Sequence, residues 1–213
     1  MTDDLEGALR GAARVLTVAA PPELDSAAAA AGLLDVAYAT LDSPVGELLL
    51  AVTPRGLVRL AYLDDGIDEP LEDLARRISP RVIASARKLD EPRRELDEYF
   101  AGHRRAFELA IDWRLSRGFG RRVLEATARI PFGTLSTYGR VAAEAGSPRG
   151  SRATGNALGT NPLPIVVPCH RVVRAGGAIG GYTGGLARKR TLLAVEGDPA
   201  YRSAEDRDSG RGA

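Results

Sequence analysis

The sequence predicts an α+β protein in which a small mixed domain is followed by a mostly helical domain that contains a helix-turn-helix. Three observations lead to this fold class. Short aliphatic and β-branched segments separated by turns fill residues 36–63, helical patterns dominate after residue 118, and basic residues are concentrated in that later part. A chain of 213 residues can enclose one sizeable core or two small ones, so two domains fit its length.

The chain opens with an Ala-rich, helix-compatible extension, residues 1–35, which Pro21-Pro22 interrupts and whose role the residues do not reveal. Its first residues are acidic and polar, unlike a secretory signal. The apolar run Ala27–Leu34 is far too short to span a bilayer. We therefore expect a cytoplasmic protein that makes no contact with membranes.

The first domain is expected to cover residues 36–112. Three segments have the composition of strands, with proline- and glycine-containing turns between them, and two helical patterns follow. The strands are predicted at Val36–Leu41, Gly46–Thr53 and Gly56–Leu63, and the helices at Glu69–Ile78 and Pro92–Ala101. Asp112–Gly118 is the expected linker.

The second domain is expected to cover residues 113–198, followed by a disordered polar tail at 199–213. It carries three closely spaced helical patterns, and a tight Gly-containing turn between the second and the third predicts a helix-turn-helix. These helices are predicted at Phe119–Arg129, Thr137–Ala145 and Ser151–Leu158.

The chain beyond the helix-turn-helix has two further features. Asn161–Pro164 contains two prolines and cannot be helical, so we expect an extended chain from there to Cys169. A glycine-rich stretch, residues 176–185, then leads into a last helix, Leu186–Val195. The cysteine is thus expected between the helix-turn-helix and a flexible loop.

Charge divides the chain in two. Residues 114–195 hold 13 basic and 2 acidic residues, a net charge of +11, whereas the rest holds 16 basic and 26 acidic residues, a net charge of −10. A basic segment of this size is typical of a surface that binds a polyanion. A solvated arginine-rich face is the alternative interpretation.

Cys169 is the single cysteine, so no internal disulfide can form. With only His103 and His170 as histidines and no Cys-x-x-Cys pair, we expect neither a metal site nor a cofactor. A lone cysteine is commonly an inert, buried apolar residue. Here its neighbours His170 and Arg171 can favour the thiolate, and the surrounding basic segment and glycine-rich loop also indicate a reactive group.

The residues alone do not establish how His170 would reach the sulfur. Neighbours on an extended strand point to opposite faces, so contact with Cys169 requires either a turn or a bridging water. Glu196, at the end of the last helix, is a candidate to orient the imidazole. The alternative for Glu196 is a solvated carboxylate, which is mildly unfavourable at a helix C-terminus.

The segment Val167-Pro168-Cys169-His170-Arg171-Val172-Val173 resembles the active-site signature of the O6-alkylguanine-DNA alkyltransferases, also called methylated-DNA–protein-cysteine methyltransferases. The resemblance is specific from Phe119 to Gly197, weaker from Tyr38 to Phe107, and absent from residues 1–34. Further matches in the family's order are Ile130-Pro131-Phe132-Gly133, Thr137-Tyr138, Arg152-Ala153, Asn161-Pro162, Gly181-Tyr182-Thr183-Gly184-Gly185 and Glu196-Gly197.

This resemblance implies a ribonuclease-H-like domain before the helical one, and a monomer that binds duplex DNA containing O6-alkylguanine. The helix-turn-helix would enter the minor groove without reading sequence, and the damaged base would be flipped into a pocket. The small residues Ala153, Gly155 and Ala157 of the expected recognition helix are consistent with close approach to a narrow groove.

The resemblance also implies roles for particular residues. A thiolate at Cys169, maintained through His170, water and Glu196, would take the alkyl group irreversibly, once per molecule. Arg152 would fill the vacated stack, and Tyr138 would crowd the neighbouring phosphate and donate to guanine. The implied catalytic residues are Cys169, His170, Glu196, Tyr138 and Asn161, the DNA-binding residues are Arg152, Tyr138, Ala153, Arg149 and Thr137, and the pocket residues are Val172, Tyr182, Thr183 and Pro164.

Three other functions compete with repair. A lesion-sensing protein of the alkyltransferase-like type would bind the same base without reacting, but such proteins lack the reactive cysteine that Cys169 supplies. A regulator that reads methylation of Cys169 would need a separate cysteine-rich sensor, which one cysteine cannot build. A Cys–His hydrolase fits neither the basic segment nor the helix-turn-helix.

Overall fold

The computed structural model describes residues 35–197. The helical extension predicted for residues 1–35 lies outside this range except for Asp35, and so does the polar tail predicted for 199–213. Among the helices of the described range, none is long and apolar enough to cross a membrane.

A four-stranded sheet forms the first half of the described chain, with the strand order β3-β2-β1-β4. β1 pairs antiparallel with β2, and β2 pairs antiparallel with β3, as consecutive strands joined by short turns do. β4 lies parallel to β1 at the edge. The strands are β1 Val36–Leu41, β2 Leu48–Thr53, β3 Gly56–Tyr62 and β4 Val82–Ala84. The three predicted strands are present, and β4 was not predicted.

Both faces of this sheet are buried, because its strands are apolar at successive positions rather than at alternate ones. Leu49 on β2 faces helix α1, Asp68–Arg77, and packs in a small core with Leu71 and Leu74. Leu48 and Leu50 point the other way, into a second and larger core.

The larger core joins the two halves of the chain. Helix α2, Asp90–Phe100, contributes Leu96 and Tyr99 to it, and the second half contributes residues such as Val123 and Leu163. Cys169 belongs to the same cluster. The half that contains the four-stranded sheet is therefore packed directly behind the half that carries the cysteine.

The second half is mostly helical. A short parallel pair, β5 Ser136–Thr137 with β6 Val172–Val173, ties the start of α4 to the segment after the cysteine. α4 and α5 flank a tight turn in which Gly146 has a φ of 81°, a conformation that glycine adopts readily. The helices are α3 Gly118–Ala128, α4 Tyr138–Glu144, α5 Ser151–Gly159 and α6 Gly185–Val195. The predicted helix-turn-helix corresponds to α4 and α5.

The predicted extended run from Asn161 to Cys169 is wrong. The segment folds into successive turns: Val167 N donates to Leu163 O over 2.8 Å, and Ile165 has a φ of 73°. The side chain of Asn161 stabilises these turns, since its Oδ1 accepts from Leu163 N at 3.0 Å and its Nδ2 donates to Val167 O at 2.9 Å. Prolines forbade a helix here, but they did not require a strand.

Candidate active site and nucleic-acid interface

Cys169 lies in the wall of a cavity of about 260 Å³ in the second half of the chain. Residues from α4, from α5 and from the glycine-rich loop surround it. They are Tyr138, Gly155, Leu158, Gly159, Gly181, Tyr182 and Thr183. A larger groove of about 450 Å³ lies between β1, β2 and α2, but neither the cysteine nor a histidine lines it. The smaller cavity is therefore the candidate site.

The thiol is buried and held by an amide. Asn161 donates from Nδ2 to Sγ of Cys169 over 3.1 Å, with the same group that fixes the turn at Val167. Burial raises the pKa of the Cys169 thiol to about 11, and the hydrogen bond from Asn161 and the charge of Lys189 offset this only in part. The resting group is thus a protonated thiol at neutral pH.

This finding corrects the expectation that His170 and Arg171 favour the thiolate as neighbours. The guanidinium of Arg171 is directed away from the sulfur: it donates to both carboxylate oxygens of Glu196 and to Ile130 O. The imidazole of His170 is fully buried, and burial lowers its pKa, so the ring is neutral. Desolvation of the thiol therefore outweighs any cationic neighbour.

A turn at the cysteine positions His170. Cys169–Arg171 form a single 3-10 turn, which replaces the alternation of a strand. His170 Nε2 lies 2.8 Å from Glu196 Oε1, and both side chains are buried. Burial by itself would raise the pKa of Glu196, but hydrogen bonds from His170 and Arg171 bring it down to about 2. The carboxylate is therefore ionised and accepts the proton on Nε2, which leaves Nδ1 as the basic nitrogen.

His170 Nδ1 is buried and has no hydrogen-bond partner among residues 35–197. A buried polar atom of this kind is rare and calls for a functional explanation. It leaves the imidazole with a free lone pair in the interior, on the residue that follows Cys169.

Glu196 is more heavily constrained than the sequence predicted. Besides His170 and Arg171, it accepts from the hydroxyl of Tyr99 at 2.9 Å and from Gly133 N at 3.2 Å. Tyr99 lies on α2 in the first half of the chain, and no local pattern indicates that it reaches the site. The interpretation of Glu196 as a solvated carboxylate is wrong.

The predicted pocket residues occupy different places. Tyr182 and Thr183 line the cavity, whereas Val172 and Pro164 are buried and do not. Val172 O accepts from Nζ of Lys189 at 2.6 Å. Lys189 was not predicted: it is fully buried on α6, and burial lowers its pKa to about 8. The two residues on either side of Lys189 are exposed or half-buried, so the local sequence does not predict that this lysine is buried.

The predicted DNA-binding residues lie along the outer face of the helix-turn-helix. Arg152 and Ala153 are exposed in the first turn of α5, Arg149 is exposed in the turn before it, and within the described chain neither arginine forms a salt bridge. Thr137 caps α4, its Oγ1 accepting from Arg140 N at 3.3 Å. Tyr138 lies between this face and the cavity, which it lines.

No group of three or more His, Cys, Asp or Glu side chains in residues 35–197 is arranged to hold a metal ion. The fold and the site together define a helical domain that has an exposed helix-turn-helix and a buried cysteine beside a cavity, packed against a small mixed domain, as in a DNA-binding protein with thiol chemistry.

Comparison with known proteins identifies the family. The ribonuclease-like domain of 6-O-methylguanine DNA methyltransferase matches residues 36–113, and the DNA-binding domain of the same family matches residues 118–198. The chain therefore belongs to the 6-O-methylguanine DNA methyltransferase family, and both the predicted family and the predicted fold class are confirmed.

Individual relatives agree with this assignment. The methylated-DNA–protein-cysteine methyltransferase of Mycolicibacterium paratuberculosis is 42% identical over 161 residues, 76% of this chain and 92% of the relative. The constitutive methylated-DNA–protein-cysteine methyltransferase of Bacillus subtilis is 36% identical over 163 residues, which are 75% of this chain and 94% of the relative.

Solved structures agree as well. The O6-methylguanine methyltransferase of Mycobacterium tuberculosis superposes with a TM-score of 0.65 at 36% identity, covering 79% of this chain and 96% of that one. A structure of M. tuberculosis OGT in complex with DNA has a TM-score of 0.64 at 36% identity, with 78% and 96% coverage.

Proposed function

We propose that this protein repairs alkylated DNA by direct reversal, moving an alkyl group from O6 of guanine in duplex DNA onto Cys169. One observation carries the proposal: the only thiol in the sequence faces a cavity, and the neighbouring Glu196–His170 pair ends in a buried nitrogen that has no hydrogen-bond partner within residues 35–197. A nucleophile, a base and a group that orients the base are the parts that such a transfer requires.

The transfer begins with removal of the thiol proton. His170 Nδ1 accepts this proton through a water molecule, and the imidazolium that forms is stabilised by Glu196. The sulfur then attacks the alkyl carbon, an S–C bond forms, and the bond between that carbon and O6 breaks. The electron pair stays on guanine, where donation from the Tyr138 hydroxyl stabilises the charge. The thioether does not leave, so each molecule acts once.

The helix-turn-helix presents the lesion to the cavity. We infer that α5 lies in the minor groove, because its exposed residues Arg152 and Ala153 combine one cation with a small side chain. The target oxygen is inaccessible inside a stacked duplex, so the base is rotated into the cavity and Arg152 takes its place. Arg149 and Thr137 contact phosphates, which carry no sequence information.

The flipped guanine meets polar groups of the backbone. We infer from the resemblance that the carbonyls of Cys169 and Val172 accept from the guanine amino group, which requires the buried Val172 carbonyl, outside the cavity lining in this structure, to become accessible when the base enters. The Val172 carbonyl has two lone pairs and already binds Lys189 with one of them. Thr183 and Tyr182 flank the O6 position, and Pro164 supports the turn behind it.

We place the domain boundaries at residues 36–112 and 113–198, and the protein acts as a cytoplasmic monomer.

The decisive experiment is the intact mass of the protein after incubation with excess duplex containing O6-methylguanine, followed by peptide mapping. We expect one added methyl group, confined to the peptide that contains Cys169, with no further addition. Cys169→Ala should take up no methyl group while its affinity for duplex is retained, since the small buried thiol makes no exposed contact.

Two results would contradict this function. Methyl transfer by Cys169→Ala would place the nucleophile elsewhere. Tight binding of the lesion by the unaltered protein without any added mass would identify a damage sensor instead.

A further inference from the structure

A tyrosine of the ribonuclease-like domain reaches the wall of the cavity. Tyr62, at the end of β3, places its hydroxyl 2.7 Å from the hydroxyl of Tyr182. The two rings meet edge-on, with centroids 6.3 Å apart. Tyr182 lines the cavity beside Cys169, whereas Tyr62 does not. The contact joins positions that are 120 residues apart and lie in different domains.

The glycine-rich loop is shaped to receive this ring. A Cβ atom on Gly184 would clash with a ring carbon of Tyr62, so that one of the two would have to shift. The φ of Gly184 is −80°, which any residue can adopt, so backbone conformation does not explain the glycine. The close approach of Tyr62 does explain it.

Tyr62 is itself held in place by α6. The guanidinium of Arg188 lies over its ring at 4.3 Å from the centroid and also donates to Val45 O at 2.6 Å. The same guanidinium pairs with Asp64, which follows β3. Arg188 thus fixes Tyr62 from the other domain, through a cation–π contact and through bonds to two segments of the sheet.

The hydrogen bond between the hydroxyls of Tyr62 and Tyr182 restrains the reactive centre indirectly, through Tyr182. Tyr182 also contacts the imidazole of His170 edge-on, at 6.4 Å between centroids. Burial raises the pKa of both tyrosines above the usual value, so each keeps its proton and one donates to the other. This hydrogen bond restrains the phenol of Tyr182 from swinging into or out of the cavity.

We propose that Tyr62 is a positioning residue for alkyl transfer, which acts through Tyr182 to hold the cavity wall beside Cys169 in the geometry that accepts guanine. This inference rests on the proposed function. It assigns to the ribonuclease-like domain a part in the reaction that goes beyond support of the fold.

The test is Tyr62→Phe, which removes the hydroxyl and keeps the ring against Gly184. We expect the single-turnover rate constant at saturating lesion duplex to fall roughly fivefold, the size typical of one lost neutral hydrogen bond. Affinity for undamaged duplex should not change. The reaction with free O6-benzylguanine should slow by the same factor, because the cavity is affected and DNA binding is not.

A double-mutant cycle separates positioning from a general structural effect. If Tyr62 acts through Tyr182, adding Tyr62→Phe to Tyr182→Phe should cause no further loss of rate. Asp65→Asn is the matched control: it removes an exposed carboxylate in the same turn after β3 and leaves both hydroxyls and the Arg188–Asp64 pair in place, so the rate should stay unchanged.

Each outcome decides the matter. An unaltered rate for Tyr62→Phe, additive losses in the cycle, or an equal loss in Asp65→Asn would each overturn the role of Tyr62. Methylation of the unaltered protein is measured first. If it fails, the proposed function falls and the role of Tyr62 falls with it, whereas its success with an unaffected Tyr62→Phe refutes the positioning role alone.

Discussion

At the scale of single residues, the reactivity of Cys169 comes from its surroundings and not from a resting thiolate. Burial makes the thiol a weak acid, and the positive group beside it in sequence, Arg171, is committed to Glu196. A protonated, buried thiol reacts slowly with solutes that cannot enter the cavity. The site is therefore expected to discriminate by delivering a base to the sulfur only when the substrate is in position.

The pH dependence of the reaction tests the role of His170. Its pKa is lowered from the usual 6.5, so above neutral pH the ring is already a base and the rate with free O6-benzylguanine should be nearly flat. In His170→Gln the amide still donates to Glu196 but cannot accept the proton. The rate should then follow the thiolate fraction, which rises about tenfold per pH unit until the thiol pKa is reached.

The measurement is the single-turnover rate between about pH 7 and pH 9, where a thiol with a raised pKa is still mostly protonated. His103→Gln serves as the control, because His103 is exposed in a loop of the first domain and is distant in sequence from His170. This variant should keep the pH profile of the unaltered protein. A flat profile in His170→Gln would show that His170 is not the base.

At the scale of elements, the sequence pattern predicted the strands and helices that depend on residues close together in the chain. The three strands up to Tyr62 and the six helices follow from periodicity and turn residues, with bounds that differ by one or two positions. β4 was missed because three half-buried residues at a sheet edge have no periodicity to detect. The turns after Asn161 were missed because an amide side chain, not a backbone preference, creates them.

The residues of the site also fall into those that local sequence predicts and those that it does not. Cys169, His170 and Glu196 could be named from a short motif and a helix end. Tyr99 and Lys189 could not, because a tyrosine on one helix and a lysine on another have ordinary local surroundings, and only the packing of distant elements brings them to the site. Burial of Lys189 in particular contradicts what its residue type favours.

The exposed start of α5 carries the next prediction. If Arg152 replaces the flipped base, Arg152→Ala should lower the rate at saturating lesion duplex by about tenfold or more, since unstacking a base costs a few kcal/mol. Its reaction with free O6-benzylguanine should be nearly unchanged.

Arg149→Ala is the matched variant on the same face. A residue that only contacts phosphate should weaken duplex binding and leave the saturating rate intact. Rates are compared by quenched-flow sampling and binding by fluorescence anisotropy. Equal losses of Arg152→Ala on duplex and on the free base would argue against base flipping by this residue.

At the scale of the whole molecule, the ribonuclease-like domain and the DNA-binding domain act as one unit. They share the larger core, and hydroxyls of the first domain bond to Tyr182 and Glu196 in the second. Charge is nevertheless divided along the chain, with an excess of +11 in residues 114–195 and −10 in all the other residues together. The DNA-binding domain is thus basic, whereas the ribonuclease-like domain and the two terminal segments together bring the total near neutral.

This division predicts a strong salt dependence of DNA binding. Each phosphate neutralised contributes a slope of about −0.9 in a plot of log K against log salt, so two or more contacts weaken binding at least about tenfold between 50 and 200 mM salt. Fluorescence anisotropy with undamaged duplexes of different sequence should give the same slope.

The reaction with free O6-benzylguanine is the internal control, because this base carries no phosphate. Its rate should change by less than about twofold over the same range, since charges in a buried site are screened little by salt. Binding to duplex that is insensitive to salt would contradict a phosphate-based interface.

The bonds from Tyr62 and Tyr99 also bear on the order of events when the chain folds. They close loops of 120 and 97 residues, whereas the helix-turn-helix is built from neighbours in sequence. Contacts between distant positions carry the larger entropic cost and form late. A refolding molecule should therefore complete the wall beside Cys169 last, so the capacity to take up an alkyl group should return after most of the helical structure has formed.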